Sequence, residues 1–379
     1  MKEESAVLKY LYRVVDGTEK GPLANVVLVL LTVLEGFYRC LLGLNRLLSH
    51  PRRLPVPVIS IGNLVAGGTG KTPTVAWLVR QLQAAGRTPA ILTRGYNGTA
   101  QKEGIVFNSN DLSNLDPQLT GDEPYLLAGM LPGTWVAVGR DRLGMGQAAL
   151  RKDPAIDCFV LDDGFQYWNL KRDYDIVVMD AGNPFGNGRL IPRGTMREPL
   201  SALKRAQAVF LTRIDRTSPP ELERLTARLN LQNPELSISL VETVPPGLVA
   251  LGGHGNEKRI FPAAAFLKGR SCGAVTAIGN PEQFFDSLRQ LGVTLVFRES
   301  YPDHYSWDAA DIQTLILKIQ KSAIREIIIT AKDGVKLEQY AELFKQAGIE
   351  VLILTLEFRI IDSEQAVLRQ IHARIQSKG

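Results

Sequence analysis

The chain has 379 residues, of which 45% are hydrophobic and 22% charged, which excludes a disordered or fibrous protein and favours two domains. Three scattered cysteines and four scattered histidines exclude a disulfide framework and a cysteine-based zinc site, and they fit a reducing compartment. A net charge of +5 suits an anionic ligand or a membrane surface. It falls short of a nucleic-acid-binding footprint, so we expect no nucleic-acid partner, and no obligate protein partner is readable.

The first predicted element is an apolar helix within residues 1–55, from Pro22 to Leu48. Its longest uncharged stretch before Glu35 is shorter than the roughly 20 residues that span a bilayer. On a helix, the polar side chains form one narrow stripe: Asn25, Thr32, Glu35, Arg39 and Arg46. Four arginines without an acidic neighbour follow Gly36: Arg39, Arg46, Arg52 and Arg53. We favour a helix that lies in an anionic membrane interface over one that is buried between protein layers.

From residue 56 onward, short β-rich runs alternate with helical patterns. This alternation predicts an α/β fold, a parallel sheet with helices on both faces. The strand candidates are Val58–Ile61, Ala90–Thr93, Trp135–Val138, Cys158–Leu161, Asp175–Met179 and Val209–Leu211. We predict a core domain over 56–235, a connection rich in proline and glycine over 236–268, and a second, smaller α/β domain over 269–379. The last helix either stays with the second domain or packs back on the core.

A phosphate-binding loop is the strongest local signal. It consists of Gly67, Gly68, Thr69, Gly70, Lys71 and Thr72, and it follows a strand and opens a helix. Its backbone N–H groups would surround phosphate oxygens, Lys71 would reach the β- and γ-phosphates, and the Thr72 hydroxyl would hold Mg²⁺. The loop therefore predicts a bound nucleotide together with Mg²⁺. One departure is Val65, because the usual spacing places a glycine there.

Carboxylates follow in three places. Asp162 and Asp163 end an apolar strand, the pattern that holds or orients Mg²⁺ in phosphate-loop proteins. Asp122 and Glu123 open a helix, where local chemistry favours capping over catalysis. His304 stands beside an aspartate in a polar turn and is either structural or tunes a carboxylate elsewhere.

Several blocks in this order resemble the tetraacyldisaccharide 4'-kinase family, the lipid A 4'-kinases. Besides the phosphate loop they are Thr93–Tyr96, Gly121–Pro124, Val138–Arg142, Leu161–Gln166, Asn187–Pro192, Arg197–Pro199, Gly279–Pro281, Pro302–Tyr305 and Lys332–Leu337. They cover roughly residues 20 to 340. The blocks together are much more specific than a phosphate loop alone.

The resemblance implies transfer of the γ-phosphate of ATP to the 4'-hydroxyl of an acylated lipid A disaccharide 1-phosphate, a step of lipopolysaccharide synthesis. It implies an enzyme bound to the inner membrane and facing the cytoplasm, with its site between the two domains. In that site Asp122 accepts the hydroxyl proton and His304 pairs with Asp122. The resemblance also implies Mg²⁺-side carboxylates at Asp162, Asp163 and Glu123, and substrate or phosphate contacts at Arg140, Gln166 and Arg197.

This sequence departs from the family pattern at Tyr167, Ala331 and the Arg193, Thr195 and Met196 positions, which bear on substrate fit more than on the reaction. Two other functions remain. One is a phosphate-loop GTPase or ATPase switch that acts on a protein partner, which Thr212–Asp215 weakly supports. The other is a soluble small-molecule kinase whose apolar N-terminal helix belongs to the core.

Overall fold

The structure is a computed structural model, and it describes residues 6–245, 247–252, 260–303 and 305–376. The strands are β1 Val58–Gly62, β2 Pro89–Thr93, β3 Ile105–Asn108, β4 Trp135–Val138, β5 Cys158–Asp162, β6 Tyr174–Asp180, β7 Ala208–Thr212, β8 Ser237–Val244, β9 Gly247–Ala250, β10 Ile260–Pro262, β11 Ser271–Thr276, β12 Thr294–Ser300, β13 Glu326–Thr330, β14 Glu350–Leu354 and β15 Glu357–Ile360.

The α-helices are α1 Ala6–Val15, α2 Pro22–Leu48, α3 Lys71–Ala84, α4 Ala100–Glu103, α5 Pro117–Thr120, α6 Asp122–Met130, α7 Arg142–Lys152, α8 Pro219–Gln232, α9 Ala263–Leu267, α10 Pro281–Gln290, α11 Ala309–Lys321, α12 Ala331–Leu337, α13 Ala341–Gln346 and α14 Glu364–Gln376.

The larger sheet has nine strands in the order β15-β8-β7-β6-β1-β5-β2-β4-β3. Its seven inner strands run parallel, and the edge strands β3 and β15 are antiparallel to their neighbours. Strands β1, β2, β5 and β7 are buried along their whole length, as expected for a parallel sheet covered on both faces. The predicted α/β class is confirmed. We call the part built on this sheet the large lobe.

The smaller sheet has the order β10-β9-β14-β13-β11-β12, with a parallel centre and an antiparallel β9–β10 edge. Apolar side chains of α9 and α10 cover one core of this part. Side chains of α11, α12 and α13 belong to a second core. We call this part the small lobe.

The chain passes between the lobes at two short crossings. It leaves the larger sheet after Val244 and enters the smaller one at Gly247, then returns between Leu354 and Glu357. The structure thus differs from the predicted connection over 236–268: β8 extends the larger sheet, and β9, β10 and α9 belong to the small lobe. Apolar side chains of α14 join the core of the large lobe, so the last helix packs back.

Helix α2 runs along the surface of the large lobe. Of its side chains only Ala24 and Glu35 are buried, whereas one broad face is exposed: Leu23, Val26, Val29, Leu30, Val33, Leu34, Phe37, Leu41, Leu44, Leu47 and Leu48. A helix packed between protein layers would hide this face, so the structure does not support that alternative. Among the described residues, α2 is the helix that is long and apolar enough to cross a membrane by length and composition, with a mean hydropathy of 1.9 over an 18-residue window.

Candidate active site

The phosphate loop connects the carboxyl end of β1 to α3. Gly67 and Gly70 have φ angles of +122° and +95°, which L-amino acids with a side chain rarely adopt. The buried Asn63 side chain holds the loop from inside, because its amide donates to the Val65 carbonyl at 2.7 Å and to Thr69 Oγ1 at 3.3 Å. The loop is therefore held in shape by its glycines and by the Asn63 side chain.

A second segment braces the loop from outside. The Ala66 N–H donates to the Thr195 carbonyl and the Arg197 N–H to the Leu64 carbonyl, both at 2.7 Å. Val65 forms an antiparallel bridge with Met196, which accounts for the departure at this position. An extended, paired residue needs no glycine, because the left-handed conformation is not required there.

Lys71 enters the site at the first position of α3. Its Nζ lies 3.4 Å from Asp163 Oδ1, and Arg197 Nη1 lies 2.9 Å from both carboxylate oxygens of Asp163. Burial raises the pKa of Asp163, but the two cations outweigh it and lower the pKa below its usual value. Asp163 is thus a fixed negative charge that two cations already share.

Asp162 ends β5 and is buried, and its Oδ2 accepts a 3.0 Å hydrogen bond from Thr93 Oγ1. Burial, with the nearby charges of Glu123 and Asp163, raises the pKa of Asp162 to about 7. A cation beside Asp162 would relieve this concentration of negative charge. Asp162 differs from Asp163 because no ion pair to it is among the described contacts, and burial with the two carboxylates outweighs the nearby charge of Lys71.

The described residues contain no group of three or more His, Cys, Asp or Glu placed to hold a metal by itself. Mg²⁺ in kinases is bound through one or two carboxylates together with substrate phosphates and water, so a complete protein cage is not needed. Asp162 with the Thr72 hydroxyl fits that donor set. Glu123 lies close enough to raise the pKa of Asp162 and contributes to the same negative pocket.

Asp122 is positioned by tight backbone packing at the start of α6. Gly121 has a φ of +88°, and a Cβ there would lie 2.7 Å from the Tyr96 carbonyl oxygen. A Cβ on Gly98 would lie 2.7 Å from the Gly121 nitrogen. The loop after β2 therefore sits directly on the turn that carries Asp122, which explains why both segments are rich in glycine.

A residue of the small lobe contacts Asp122. Lys336, on α12, places its Nζ 2.9 Å from Asp122 Oδ2, and the same Nζ donates to the Tyr305 carbonyl at 3.1 Å. The site therefore lies where the two lobes meet. His304 itself lies outside the described residues. Sequence reasoning missed Lys336, although it belongs to one of the blocks quoted above, because a lysine on a short helix carries no local signal.

The remaining predicted residues have different surroundings. Gln166 donates to the Asn63 carbonyl at 2.9 Å, which braces the start of the loop, and to Glu198 Oε1 at 3.1 Å. Arg140 is exposed after β4, with its Nη2 3.5 Å from Gln101 Oε1. Arg142, a buried cation that the sequence analysis did not single out, stacks on Tyr167 with its Cζ 4.6 Å from the ring centroid.

The segment expected to support a GTPase switch has another role. The Arg213 guanidinium contacts Asp180 and the Gly68 carbonyl, and Thr212 Oγ1 donates to the Thr69 carbonyl at 3.0 Å. Both residues thus hold the phosphate loop. An arginine held in this way is not available to pack under a guanine base.

A glycine-rich loop with its lysine, a strand-terminal aspartate pair and a further carboxylate from a neighbouring helix are the working parts of a phosphate-loop phosphotransferase. Residues 27–376 match the model of the family described as tetraacyldisaccharide-1-P 4'-kinase. The chain belongs to this family, and the resemblance is confirmed. The protein is therefore a kinase, and the switch alternative is not favoured.

Curated relatives named tetraacyldisaccharide 4'-kinase agree along nearly the whole chain. The protein of Pelobacter propionicus is 36% identical, covering 94% of this chain and 96% of the relative. The protein of Geobacter sulfurreducens is 35% identical, covering 92% and 94%. Among solved structures, the "apo" form of LpxK from Aquifex aeolicus in complex with ATP is similar with a TM-score of 0.70 and 26% identity, covering 92% of this chain and 99% of that one.

Proposed function

We propose that this kinase transfers the γ-phosphate of ATP to the 4'-hydroxyl of a lipid A disaccharide 1-phosphate precursor. The observation that supports this most directly is the match to the family over residues 27–376, joined to a buried Asp162 that is near both Lys71 of the phosphate loop and Glu123, the residue after Asp122. Phosphorus NMR of the isolated product tests the position of transfer. A new phosphate monoester at the 4' position supports the proposal, and one at any other hydroxyl contradicts it.

In this proposal the residues of the chain position the reacting groups and neutralise the charge of the phosphates. The loop N–H groups and Lys71 bind the phosphates, while Thr72 and Asp162, with Glu123 nearby, hold Mg²⁺. ATP with Mg²⁺ supplies the phosphoryl group and offsets its charge. Asp122 takes the proton of the attacking hydroxyl as its oxygen bonds to the γ-phosphorus and the bond to the β–γ bridging oxygen breaks, leaving ADP.

We propose supporting roles for the other predicted residues. His304 pairs with Asp122, which is consistent with the contact of its neighbour Tyr305 to Lys336. Arg140, exposed at the carboxyl end of the larger sheet, contacts an anionic group of the substrate. Arg197 and Gln166 act through the loop, since Arg197 holds Asp163 and Gln166 holds Asn63.

We also propose that α2 attaches the enzyme to a membrane by lying in its surface. The helix touches the large lobe along its length: Glu35 accepts from the Leu190 N–H at 3.0 Å, the Tyr38 hydroxyl donates to the Arg197 carbonyl at 3.0 Å, and Arg46 stacks on Trp168. A helix held along its side by the protein body has its other side left for lipid.

These contacts of α2 also connect the membrane-binding helix to the phosphate-binding site. Tyr38 touches the residue whose N–H braces the phosphate loop and whose guanidinium holds Asp163. An acylated sugar held in the interface would thus meet the site next to α2. Because ATP is cytoplasmic, we propose the cytoplasmic face of the bacterial inner membrane as the location.

A further inference from the structure

The contact between Lys336 and Asp122 is the closest described ion pair between the two lobes at the site. Lys336 Nζ lies 2.9 Å from Asp122 Oδ2, with the side chains 11% and 17% exposed. An ion pair of this length between two mostly buried side chains is screened less by solvent than an ion pair on the surface. Loss of this ion pair should therefore change the position of the Asp122 carboxylate.

Lys336 holds a second group at the same time. Its Nζ donates to the Tyr305 carbonyl at 3.1 Å, so one ammonium contacts both Asp122 and the segment that follows β12. One turn earlier on the same helix, Lys332 Nζ lies 2.9 Å from Asp303 Oδ1. Helix α12 thus contacts both Asp303 and Tyr305, while it packs against α6 of the large lobe.

We propose that Lys336 is a positioning residue for phosphoryl transfer. Its ammonium holds Asp122 Oδ2 and ties it to the Tyr305 carbonyl, which keeps the carboxylate in place to take the proton of the attacking hydroxyl. This inference rests on the proposed role of Asp122. The Lys336 ammonium carries three N–H donors, so it can hold the Tyr305 carbonyl by a hydrogen bond while it pairs with Asp122 Oδ2.

Such a residue acts on the reacting geometry rather than on nucleotide binding. Misplacing a catalytic group by about 1 Å can cost up to about 10²-fold in rate. Lys336→Met should therefore lower kcat at least about tenfold and leave the KM for ATP within about twofold. Lys336→Arg keeps the charged donor and should recover kcat to within about threefold of the original enzyme. Lys345→Met, at an exposed lysine on α13, is the control and should leave kcat unchanged.

The decisive measurement is a double-mutant cycle with Asp122→Asn, followed by single-turnover transfer in the full-length enzyme. If Lys336 acts through Asp122, adding Lys336→Met to Asp122→Asn should cost less than about twofold. Thermal unfolding midpoints of all variants show that they are folded. Lys336→Gln, which keeps a donor for the Tyr305 carbonyl, replaces Lys336→Met if the latter unfolds early.

Two outcomes separate this inference from the proposed function. If Asp122→Asn keeps full activity, the role of Asp122 is wrong and the inference fails with it. If Asp122→Asn is inactive, but Lys336→Met equals the original enzyme or its loss multiplies with that of Asp122→Asn, only the inference is overturned. A multiplying loss would mean that Lys336 contacts the transferred phosphate independently.

Discussion

Two neighbouring aspartates at the end of β5 have opposite surroundings. Asp163 is held by Lys71 and Arg197, whereas Asp162 is buried beside Glu123 with a hydroxyl donor. The pKa of Asp163 is lowered and that of Asp162 is raised. Asp163 therefore pairs with two cations of the protein, and we propose that Asp162 binds the cation that arrives with the nucleotide.

The raised pKa of Asp162 predicts how stability varies with pH. The folded protein keeps a proton at Asp162 up to about pH 7, which the unfolded chain loses near pH 4. This contribution to the unfolding free energy is therefore full below about pH 4 and is lost as the pH rises through about 7. In Mg²⁺-free buffer, Asp162→Asn should raise the thermal midpoint more at pH 8 than at pH 5.5. The exposed control Asp286→Asn should show no such difference, and equal shifts for Asp162→Asn would contradict the prediction.

A second prediction at the residue scale concerns Asp122. Asp122→Asn should lower kcat about 10²- to 10⁴-fold, the usual worth of a general base, and leave the nucleotide affinity nearly unchanged. Steady-state transfer assays and nucleotide titration measure the two quantities separately. Asp111→Asn, at an exposed acid before α6, is the matched control. Normal turnover of Asp122→Asn would exclude the assigned role.

At the scale of elements, the sequence predicted six of the seven inner strands of the larger sheet to within one residue at either end, because each is a short apolar run between polar turns. It missed β3 and β15, short antiparallel edge strands, and β8, whose half-exposed pattern ends beside two prolines. Edge strands show weak patterns since only part of their surface is buried.

Helix α2 is the element whose role is most easily tested. Replacing Leu30, Phe37 and Leu41 of its exposed face with glutamate should abolish flotation with liposomes that contain anionic lipid, because each change puts a charge into the apolar interface. Leu231→Glu on α8, at another exposed leucine, should float normally. Unchanged flotation of the triple variant would contradict the assignment of this face.

At the scale of the molecule, the site is made of two lobes, and its long-range contacts could not be read from the sequence. The phosphate loop and the aspartate pair are local patterns and were predicted. Lys336 reaches Asp122 only because α12 packs on α6, which depends on how the lobes meet. The chain's return into the large lobe likewise depends on the pairing of β15 with β8 and on the burial of α14.

The return of the chain into the large lobe through β15 and α14 should be important for stability. Phe358 of β15 packs against Trp77 and Phe210, with ring centroids 5.4 Å and 5.8 Å away. Phe358→Ala should lower the free energy of unfolding by about 3–5 kcal/mol, as expected for a buried aromatic side chain. Urea denaturation followed by circular dichroism measures this change. Val296→Ala, at a half-exposed position in β12, should cost less than about 0.5 kcal/mol, and an equal cost in both variants would contradict the packing role of Phe358.

The central claim is that the protein phosphorylates a lipid. The most direct test is transfer of ³²P from the γ-position of ATP to detergent-dispersed lipid A disaccharide 1-phosphate, separated by thin-layer chromatography. We expect a labelled lipid whose formation requires Mg²⁺ and is lost in the Lys71→Ala variant. Release of labelled inorganic phosphate without any labelled lipid would contradict it and would favour a nucleotide-driven switch.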